Sequence, residues 1–330
     1  TTPNPSVGVV WEPAQGLRLR STYSRSFRAP ALRELYDPST VSPALLALGS
    51  VRVRTLTRNG GNPDLDPETA RSWTIGFDLS PARWPGFRAS VTYFDVRFED
   101  RIGRPAAVNL ANALTDPTLA PFVQRISPAT NPQDLALITA VLASAPFNSV
   151  SGTFPPSDYG AIVDNRYVNT TTLRVRGIDA SASYAFDVGD ADRMTLGGAL
   201  SYMLDYEQQF TPTSPVVDTV NVANFPLRVR GRFTADWTRG RLTLAGAANY
   251  TGRYRDSRGE RIGDFVSFDA QVRLAPAQSG ALKGVAARLS VRNLFDKDPP
   301  FYNNTDGFAY DPANADPIGR FVSLQLTRAW

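Results

Sequence analysis

The sequence predicts an all-β protein and, within that class, a transmembrane antiparallel β-barrel. Apolar and polar residues alternate with a period of two in many segments. Several segments run to about 10–14 residues, whereas strands of soluble sandwiches cluster near roughly five or six. Short and long connections alternate between the segments. A soluble β-sandwich or propeller remains the alternative, because it would show the same alternation.

One face of each segment is apolar. The clearest apolar sets are Trp73, Ile75, Phe77 and Leu79; Met194, Leu196, Leu200, Tyr202, Leu204 and Tyr206; Leu227, Val229, Phe233 and Trp237; Leu242, Leu244, Tyr250 and Tyr254; and Val266, Phe268, Val272 and Leu274. Aromatic residues lie near the ends of these segments, where the aromatic belts of a membrane barrel are found. Closure of the sheet is expected, since an open edge in hydrocarbon leaves backbone groups unpaired.

Two segments break the alternation. The segment 172–186 exchanges faces between Val175 and Ile178, which predicts a β-bulge at Gly177. The segment 87–98 shifts its pattern between Tyr93 and Phe94. Both segments are still expected to be strands.

The connections predict how the barrel is oriented. Long connections lie near 28–71, 103–170, 207–226, 255–264 and 296–319, and short turns lie between them. Bacterial barrels have short periplasmic turns and long extracellular loops, so we expect the C-terminus on the periplasmic side. Trp330 is then expected at the periplasmic boundary, in register with the apolar residues Val322, Leu324 and Leu326. Arg328 falls on the same face, where it can snorkel to the interface.

Composition excludes several classes of function. The chain has 330 residues, a formal net charge of +4, 42% hydrophobic residues and neither cysteine nor histidine. Thiolate nucleophiles, histidine bases and zinc sites built from Cys or His are therefore ruled out, and we expect no enzyme and no cofactor. Arginines are dispersed, which disfavours nucleic-acid binding.

The chain has no stretch of about 20 apolar residues for a membrane helix and no leader, and we interpret it as part of a longer protein.

The longest loop contains one helix signal. Asn131 is a suitable N-cap, Pro132 suits the first helical position, and Pro146 follows the segment. The apolar set is Leu135, Leu137, Ile138, Val141 and Leu142. We expect a helix of about 14 residues packed on or over the extracellular mouth, as loop packing or as a functional lid.

Two loops carry candidate ligand-binding residues. The first has four arginines, suited to lipopolysaccharide phosphates or to an anionic substrate: Arg253, Arg255, Arg258 and Arg261. Pairing with Asp256, Glu260 and Asp264 is the alternative. The second loop offers aromatic and amide side chains, which suit a sugar or flat ligand or form a rim of the aromatic belt: Tyr302, Asn303, Asn304 and Tyr310.

We expect no metal site. Asp306, Asp311 and Asp316 are carboxylates in one loop, but they lack the regular spacing of a calcium-binding loop. Charged residues opposite the apolar sets are expected to face the lumen, where they pair with carboxylates or line water: Arg228, Arg230, Arg232, Asp269 and Arg273.

Several stretches, in this order, resemble the C-terminal barrel half of TonB-dependent outer-membrane receptors. They are YSRSFRAPALRELY at 23–36, GNPDLDPETARSWTIGFDLS at 61–80 with ASVTYFDVRFEDRI at 89–102, RVRGIDASASY at 174–184, and LSVRNLFDKDPPFYNN with DPIGRFVSLQLTRAW at the end. We interpret the prolines of NPDLDPE as a structural turn rather than a ligand contact.

The resemblance implies a large barrel of about 22 strands with a plug in its lumen. About eleven segments are counted here, so we expect the C-terminal half of that barrel over residues 1–330, without the plug. The implied protein is an outer-membrane receptor of a Gram-negative bacterium that binds a scarce nutrient, such as a ferric siderophore, and imports it with energy from TonB. A passive or structural barrel without a plug is the alternative, and a soluble carbohydrate-active β-protein is a third.

The implied partners are outer-membrane lipid and lipopolysaccharide, TonB through the plug, the nutrient ligand and the barrel assembly machinery. An aromatic C-terminal residue resembles the signal by which that machinery recognises barrels, so Trp330 is predicted to be an assembly signal.

Overall fold

The structure is a computed structural model. It describes residues 3–106, 110–148, 152, 154–210, 214–256, 258–276, 279–280, 283–303 and 307–328. None of the helices in these ranges combines the length and apolarity needed to cross a membrane.

Strands dominate the described residues. They are β1 (Ser6–Ala14), β2 (Leu17–Arg28), β3 (Thr40–Leu48), β4 (Val51–Asn59), β5 (Glu68–Leu79), β6 (Phe87–Gly103), β7 (Val123–Arg125), β8 (Ala161–Asp164), β9 (Val168–Val188), β10 (Asp192–Gln209), β11 (Val217–Asp218), β12 (Val229–Arg239), β13 (Leu242–Thr251), β14 (Tyr254–Arg255), β15 (Arg261–Ile262), β16 (Phe265–Leu274), β17 (Val285–Arg292) and β18 (Phe321–Arg328). The helices are α1 (Leu32–Tyr36) and α2 (Pro132–Ala143), with 3-10 turns at Leu110–Asn112, Pro117–Phe122 and Pro156–Asp158.

The main sheet is antiparallel throughout. Its strand order is β1-β2-β5-β6-β9-β10-β12-β13-β16-β17-β18, with β11 paired to the end of β10. Consecutive wall strands are hydrogen-bonded neighbours, as in an up-and-down barrel wall. Within the described residues the sheet is open, and β1 and β18 are its edges.

The connections separate the two ends of this wall. The turns after β1, β5, β9, β12 and β16 are short, and the connections after β2, β6, β10, β13 and β17 are long. We refer to the two ends as the short-turn end and the long-loop end. Bacterial barrels place the long loops outside the cell.

The wall has an apolar face and a polar face. On the apolar face, one cross-strand row contains Leu19, Phe77, Val91, Ala180 and Leu200. The polar face contains the alternate residues of the same strands, among them a row of Arg20, Gly76, Thr92, Asp179, Ser201 and Arg230. The apolar alternation expected from the sequence is therefore present across neighbouring strands.

Aromatic residues mark both ends of the apolar face. Trp73 and Tyr93 pack edge to face near the long-loop end, with ring centroids 6.5 Å apart. Near the short-turn end Tyr184 stacks on Phe186 at 5.1 Å. Ile178, the cross-strand partner of Tyr93, is eight residues from Phe186 on β9. That separation is about 26 Å along a strand, close to the height of the apolar band of a membrane barrel.

The predicted bulge at Gly177 is wrong. Tyr93, Phe94 and Asp95 pair without interruption with Ile178, Gly177 and Arg176. The register shift lies on the neighbouring strand β10, between Met203 and Asp205. The sequence pattern changes because the polarity of the two faces is reversed near the long-loop end. There, charged residues lie on the face that is apolar elsewhere, and apolar residues lie on the face that is polar elsewhere.

Two aromatic residues assigned to the apolar face lie elsewhere. The β10 bulge reverses the side of the residues that follow it, so Tyr206 pairs with Val175 on the face opposite Tyr202. Tyr254 lies beyond the end of β13, in the short strand β14, and is 3% exposed. The alternation in the sequence continues through both positions. In the structure, the β10 bulge and the end of β13 interrupt the strands there.

Two long connections fold together into what we call the loop domain, formed by β3, β4, β7, β8 and α2. Its sheet has the order β3-β4-β8-β7. Val41, Leu56, Ile138, Tyr159 and Ile162 form part of a buried core. A hairpin within the predicted loop 28–71 turns through Gly49 and Ser50, and Gly49 has the positive φ of 64° that such a turn favours.

The predicted helix of the longest loop is confirmed as α2. The side chain of Asn131 accepts a hydrogen bond from the N–H of Gln133 at 3.0 Å, and Pro132 is the first helical residue. Ile138 and Val141 are buried, and Leu137 and Leu142 pack beside them. Leu135 was expected on the packed face but is 39% exposed. The helix has 12 residues rather than 14.

Candidate functional site

A short hairpin above the long-loop end presents two arginines side by side. Tyr254 pairs with Ile262, and Arg255 pairs with Arg261. Tyr254 and Ile262 are both 3% exposed, so one side of the hairpin is buried. Arg255 and Arg261 are exposed and form no side-chain ion pair with a described residue. Like charges directly opposite each other destabilise a strand pair, so this arrangement favours an anion.

The buried side of the hairpin is fixed by Asp311. This carboxylate is fully buried and accepts hydrogen bonds from the N–H of Asn224 at 3.1 Å, the N–H of Ala313 at 3.0 Å and Nδ2 of Asn314 at 2.7 Å. It is also hydrogen-bonded to Tyr254. Asp311 therefore joins three loops, those after β10, β13 and β17. This role replaces the calcium ligand considered from the sequence.

The surroundings of Tyr254 change its acidity. Burial and the neighbouring Asp311 raise the pKa of the Tyr254 phenol above its usual value, because both disfavour the phenolate. Tyr254 therefore stays a hydrogen-bond donor to Asp311 over the physiological pH range. Ala223, Leu227, Ile262 and Tyr302 complete the hydrophobic cluster around it.

Arg258 is engaged by its own loop and by the loop after β17. Its Nε donates to Asp256 at 3.1 Å, and one terminal nitrogen lies 3.5 Å from Glu260 and donates to the carbonyl of Asn303 at 3.0 Å. Burial opposes ionisation of Asp256, but hydrogen bonds from the Glu260 N–H and from Arg258 hold its pKa below the usual range. Arg258 thus adopts the charge pairing considered as the alternative. Arg253 is exposed.

The aromatic candidates are divided between core and surface. Tyr302 is 8% exposed and belongs to the Tyr254 cluster. Tyr310 is half-buried and packs edge to face with Phe308 at 6.1 Å. Asn303 is exposed, and Asn304 lies outside the described residues. Asn303 and Tyr310 thus remain surface candidates, whereas Tyr302 stabilises the loops.

Charged residues predicted to face the lumen lie together on the polar face. Arg232 donates to Asp269 at 3.0 Å and also to Asn249. Arg230 donates to Oδ1 of Asn314 at 2.5 Å, which connects the wall to the Asp311 loop. Both arginines line a groove of about 490 Å³ on the wall. Further along, Arg292 donates to Asp316 at 2.9 Å.

The remaining two lumen candidates differ in setting. Arg228 precedes β12, and its carbonyl accepts a hydrogen bond from the Met203 N–H at 2.8 Å. Arg273 lies on the polar face near the short-turn end, directly opposite Arg288. Both Arg273 and Arg288 are exposed, and neither pairs with a described carboxylate.

The segments that carry the receptor-like motifs form an ion-pair network at the base of the loop domain. Arg28 donates to Glu34 at 2.9 and 3.0 Å and to Glu68 at 2.9 and 2.6 Å. Glu68 also accepts from the N–H of Ile102 at 2.7 Å, and Glu34 from the N–H of Ala31 at 2.7 Å.

This network supports the structural interpretation of NPDLDPE. Nδ2 of Asn62 donates to the carbonyl of Tyr167 at 3.0 Å, and the N–H of Asp66 donates to Oδ1 of Asn169 at 2.9 Å. The sequence reasoning missed that Arg28 pairs with both Glu34 and Glu68. The available signal was that all three lie in the motif-bearing segments.

Two other predictions concern metals and the C-terminus. Among the described residues, no three or more acidic side chains come together as a metal site would require. Trp330 lies outside the described residues. Its assembly role therefore stays a prediction.

An open antiparallel wall with an apolar band, a charged polar face and folded loops at one end is typical of the wall of a transmembrane β-barrel. The family described as "TonB dependent receptor-like, beta-barrel" matches residues 1–294, and the chain belongs to this family. No curated protein matches the chain.

Solved structures share the fold. A mutant of the ferric enterobactin receptor PfeA from Pseudomonas aeruginosa, in complex with enterobactin, matches with TM-score 0.63 and 18% identity. The siderophore receptor PirA from Acinetobacter baumannii matches with TM-score 0.60 and 17% identity. Each match covers 98% of this chain and 40% of the other. The copper transporter OprC matches with TM-score 0.53 and 13% identity, over 98% and 38% of the two chains.

Proposed function

We propose that this chain is the wall of an outer-membrane receptor that binds an anionic ferric siderophore and imports it with energy from TonB. The observation that carries the ligand class is the exposed pair Arg255 and Arg261 on β14 and β15. Ferric siderophores that hold iron through catecholate or carboxylate oxygens are anionic, and guanidinium groups match such oxygens in geometry and charge. PfeA and PirA, which share the fold, are siderophore receptors.

The setting of the hairpin supports this assignment. Asp311 and Tyr254 hold its buried side, so the two guanidinium groups are presented from a fixed backbone. A fixed backbone lowers the cost of ordering the site when ligand binds. Arg253, Asn303 and Tyr310 lie in the same group of loops and are the further contacts we propose, together with Asn304.

The polar face supports passage through a lumen. Arg230 and Arg232 lie on the wall below these loops and line the 490 Å³ groove. Arg273 and Arg288, near the short-turn end, leave two adjacent positive charges without a carboxylate among the described residues. We propose that carboxylates of a plug domain neutralise this pair. The open edges of β1 and β18 would pair with the other wall strands of a barrel of about 22 strands.

The proposal predicts energised uptake. In cells that express the complete receptor, radiolabelled iron bound to an anionic siderophore should accumulate only when TonB is present. The double variant Arg255→Gln/Arg261→Gln should bind that siderophore at least about tenfold more weakly, because two charge-assisted contacts are lost. Arg239→Gln, near the short-turn end, is the matched control and should bind normally.

A passive or structural barrel is the second candidate. It predicts the same accumulation with and without TonB, or none in either case, and unchanged siderophore affinity in the double variant. Equal uptake in the two strains would therefore overturn energised transport. Unchanged affinity in Arg255→Gln/Arg261→Gln would overturn the ligand site.

A further inference from the structure

Four arginines lie directly opposite one another on neighbouring strands. Arg25 of β2 pairs with Arg71 of β5, Arg71 pairs with Arg97 of β6, and Arg97 pairs with Arg174 of β9. Neighbouring strands are about 4.8 Å apart, so the four side chains form a continuous row. We call this row the arginine ladder. Like charges at directly opposed positions destabilise a sheet, so the ladder requires anions nearby.

The protein supplies part of this negative charge. Arg174 donates to Asp95 at 3.1 and 2.6 Å. Glu99 lies 3.5 Å from Arg71 and 3.2 Å from Arg97, so one carboxylate serves two arginines. Arg25 pairs with no carboxylate among the described residues. The positive surplus therefore lies at Arg25, Arg71 and Arg97, and the side chains of Arg71 and Arg97 are about half exposed.

The position of the ladder is defined by the apolar face of the wall. Arg25 and Arg71 are each two residues beyond Tyr23 and Trp73, which form the aromatic row at the long-loop end of that face. The ladder thus continues the apolar face at the level where hydrocarbon gives way to lipid headgroups. Closer to the short-turn end, the same strands carry apolar residues at the alternate positions of this face, such as Phe77 and Val91.

We propose that the arginine ladder binds the phosphates of lipopolysaccharide in the outer leaflet. The face is continuous with the apolar band, the surplus charge is positive, and guanidinium groups bind phosphate through paired hydrogen bonds. Spacing along the ladder lets one phosphate contact two arginines. The interaction rests on the membrane orientation of the wall and is independent of the siderophore site.

The test uses the complete receptor in neutral detergent. It is titrated with bisphosphorylated lipid A and with the same lipid after removal of both phosphates. The wild-type protein should bind the phosphorylated lipid more tightly, and Arg71→Gln/Arg97→Gln should weaken that binding at least about tenfold, because two guanidinium groups that attract the anionic lipid are lost. Binding of the dephosphorylated lipid should not change.

The matched control is Arg239→Gln/Arg328→Gln, which removes two arginines from the same face near the short-turn end. It should bind phosphorylated lipid A as the wild type does. Equal affinity of the wild type for the two lipids, or of the ladder variant and the wild type for phosphorylated lipid A, would overturn the proposal. Displacement of the lipid by inorganic phosphate at matched concentration would assign the ladder to a free anion instead. Siderophore uptake can be intact in each of these cases, which separates this test from that of the receptor function.

Discussion

Gly177 on β9 lies directly opposite Phe94 on β6, and the ring of Phe94 occupies the space in which a side chain at Gly177 would begin. A Cβ at position 177 would lie 2.5 Å from one ring atom of Phe94 and 3.0 Å from the carbonyl oxygen of Tyr202. This contact marks the level at which the wall exchanges polarity. From this level toward the long-loop end, the face that is polar elsewhere carries the apolar residues Phe94, Val96 and Phe98.

Gly177→Ala is expected to destabilise the wall by about 1–3 kcal/mol, because the ring or the backbone must move to admit a methyl group. The measurement is the free energy of unfolding in urea after reconstitution of the complete receptor into vesicles. Gly246→Ala is the control, since a Cβ there meets no atom within 4 Å. A loss of stability of the same size in both variants would contradict the role given to Phe94.

The Arg28 network is expected to hold the loop domain on the wall. In Arg28→Gln, hydrogen exchange should accelerate at the Ala31 N–H and the Ile102 N–H, which donate to Glu34 and Glu68. Arg33→Gln is the control, because Arg33 is largely exposed and contacts only Asp37, at 3.8 Å, among described carboxylates. Unchanged protection of both amides in Arg28→Gln would show that the network does not hold these segments.

The same network predicts a dependence on pH. Burial opposes ionisation of Glu34, but hydrogen bonds from Arg28 and the Ala31 N–H outweigh it and hold its pKa below the usual value. A depressed folded-state pKa stabilises the protein above the unfolded pKa, and the stabilisation is lost as pH falls through the folded value. Protection of the Ala31 N–H should therefore fall on acidification in the wild type. The dependence should be weaker in Arg28→Gln.

The Asp311 contacts are expected to decide how firmly the β14–β15 hairpin is held. Asp311→Asn removes the charge and part of the acceptor capacity of a buried group, and Tyr254→Phe removes one donor to it. We expect losses of roughly 1–3 kcal/mol for the former and about 1 kcal/mol for the latter. Loop proteolysis and thermal unfolding are the measurements. Equal protease resistance of wild type and Asp311→Asn would contradict the role of Asp311.

Titration of Tyr254 is a second measurement of the contact between Tyr254 and Asp311. Its folded-state pKa is raised, so the stabilisation is present below the unfolded pKa and is lost as pH rises through the folded value. Ultraviolet titration of Asp311→Asn should show one tyrosine ionising at lower pH than in the wild type. An unchanged titration curve would show that Asp311 is not a cause of the shift.

Much of the wall could be predicted from the sequence because alternation reports directly on two chemically different faces. Phe233 and Phe268 fall on the predicted side for this reason. The β10 bulge near Leu204 could not be predicted, since it depends on which residue of β9 pairs with which of β10. The arginine ladder could not be predicted for the same reason, because only the strand register brings Arg25 and Arg174 into one row.

The loops were harder to predict for another reason. Alternation in 40–59 and the Gly49-Ser50 turn were signals of a hairpin, but a long loop was expected there. The local signals of Asn131 and Pro132 sufficed for α2, since helix capping depends on nearby residues. Asp311 and Tyr254 are far apart in sequence, and no local pattern indicates their contact. Arg258 pairs with Asp256. From the sequence alone, this pairing and ligand binding were both possible for Arg258.

We expect one face of the wall to lie in lipid and the other to line a polar interior. The chain contains no cysteine, so single cysteines at Phe233, Thr234 and Ala235 of β12 can each carry an environment-sensitive fluorophore. In the complete receptor in vesicles, emission should be blue-shifted at 233 and 235, quenched by a lipid-soluble quencher, and red-shifted at 234. Blue-shifted emission at 234 with red-shifted emission at 233 and 235, or no alternation at all, would contradict this placement of the two faces.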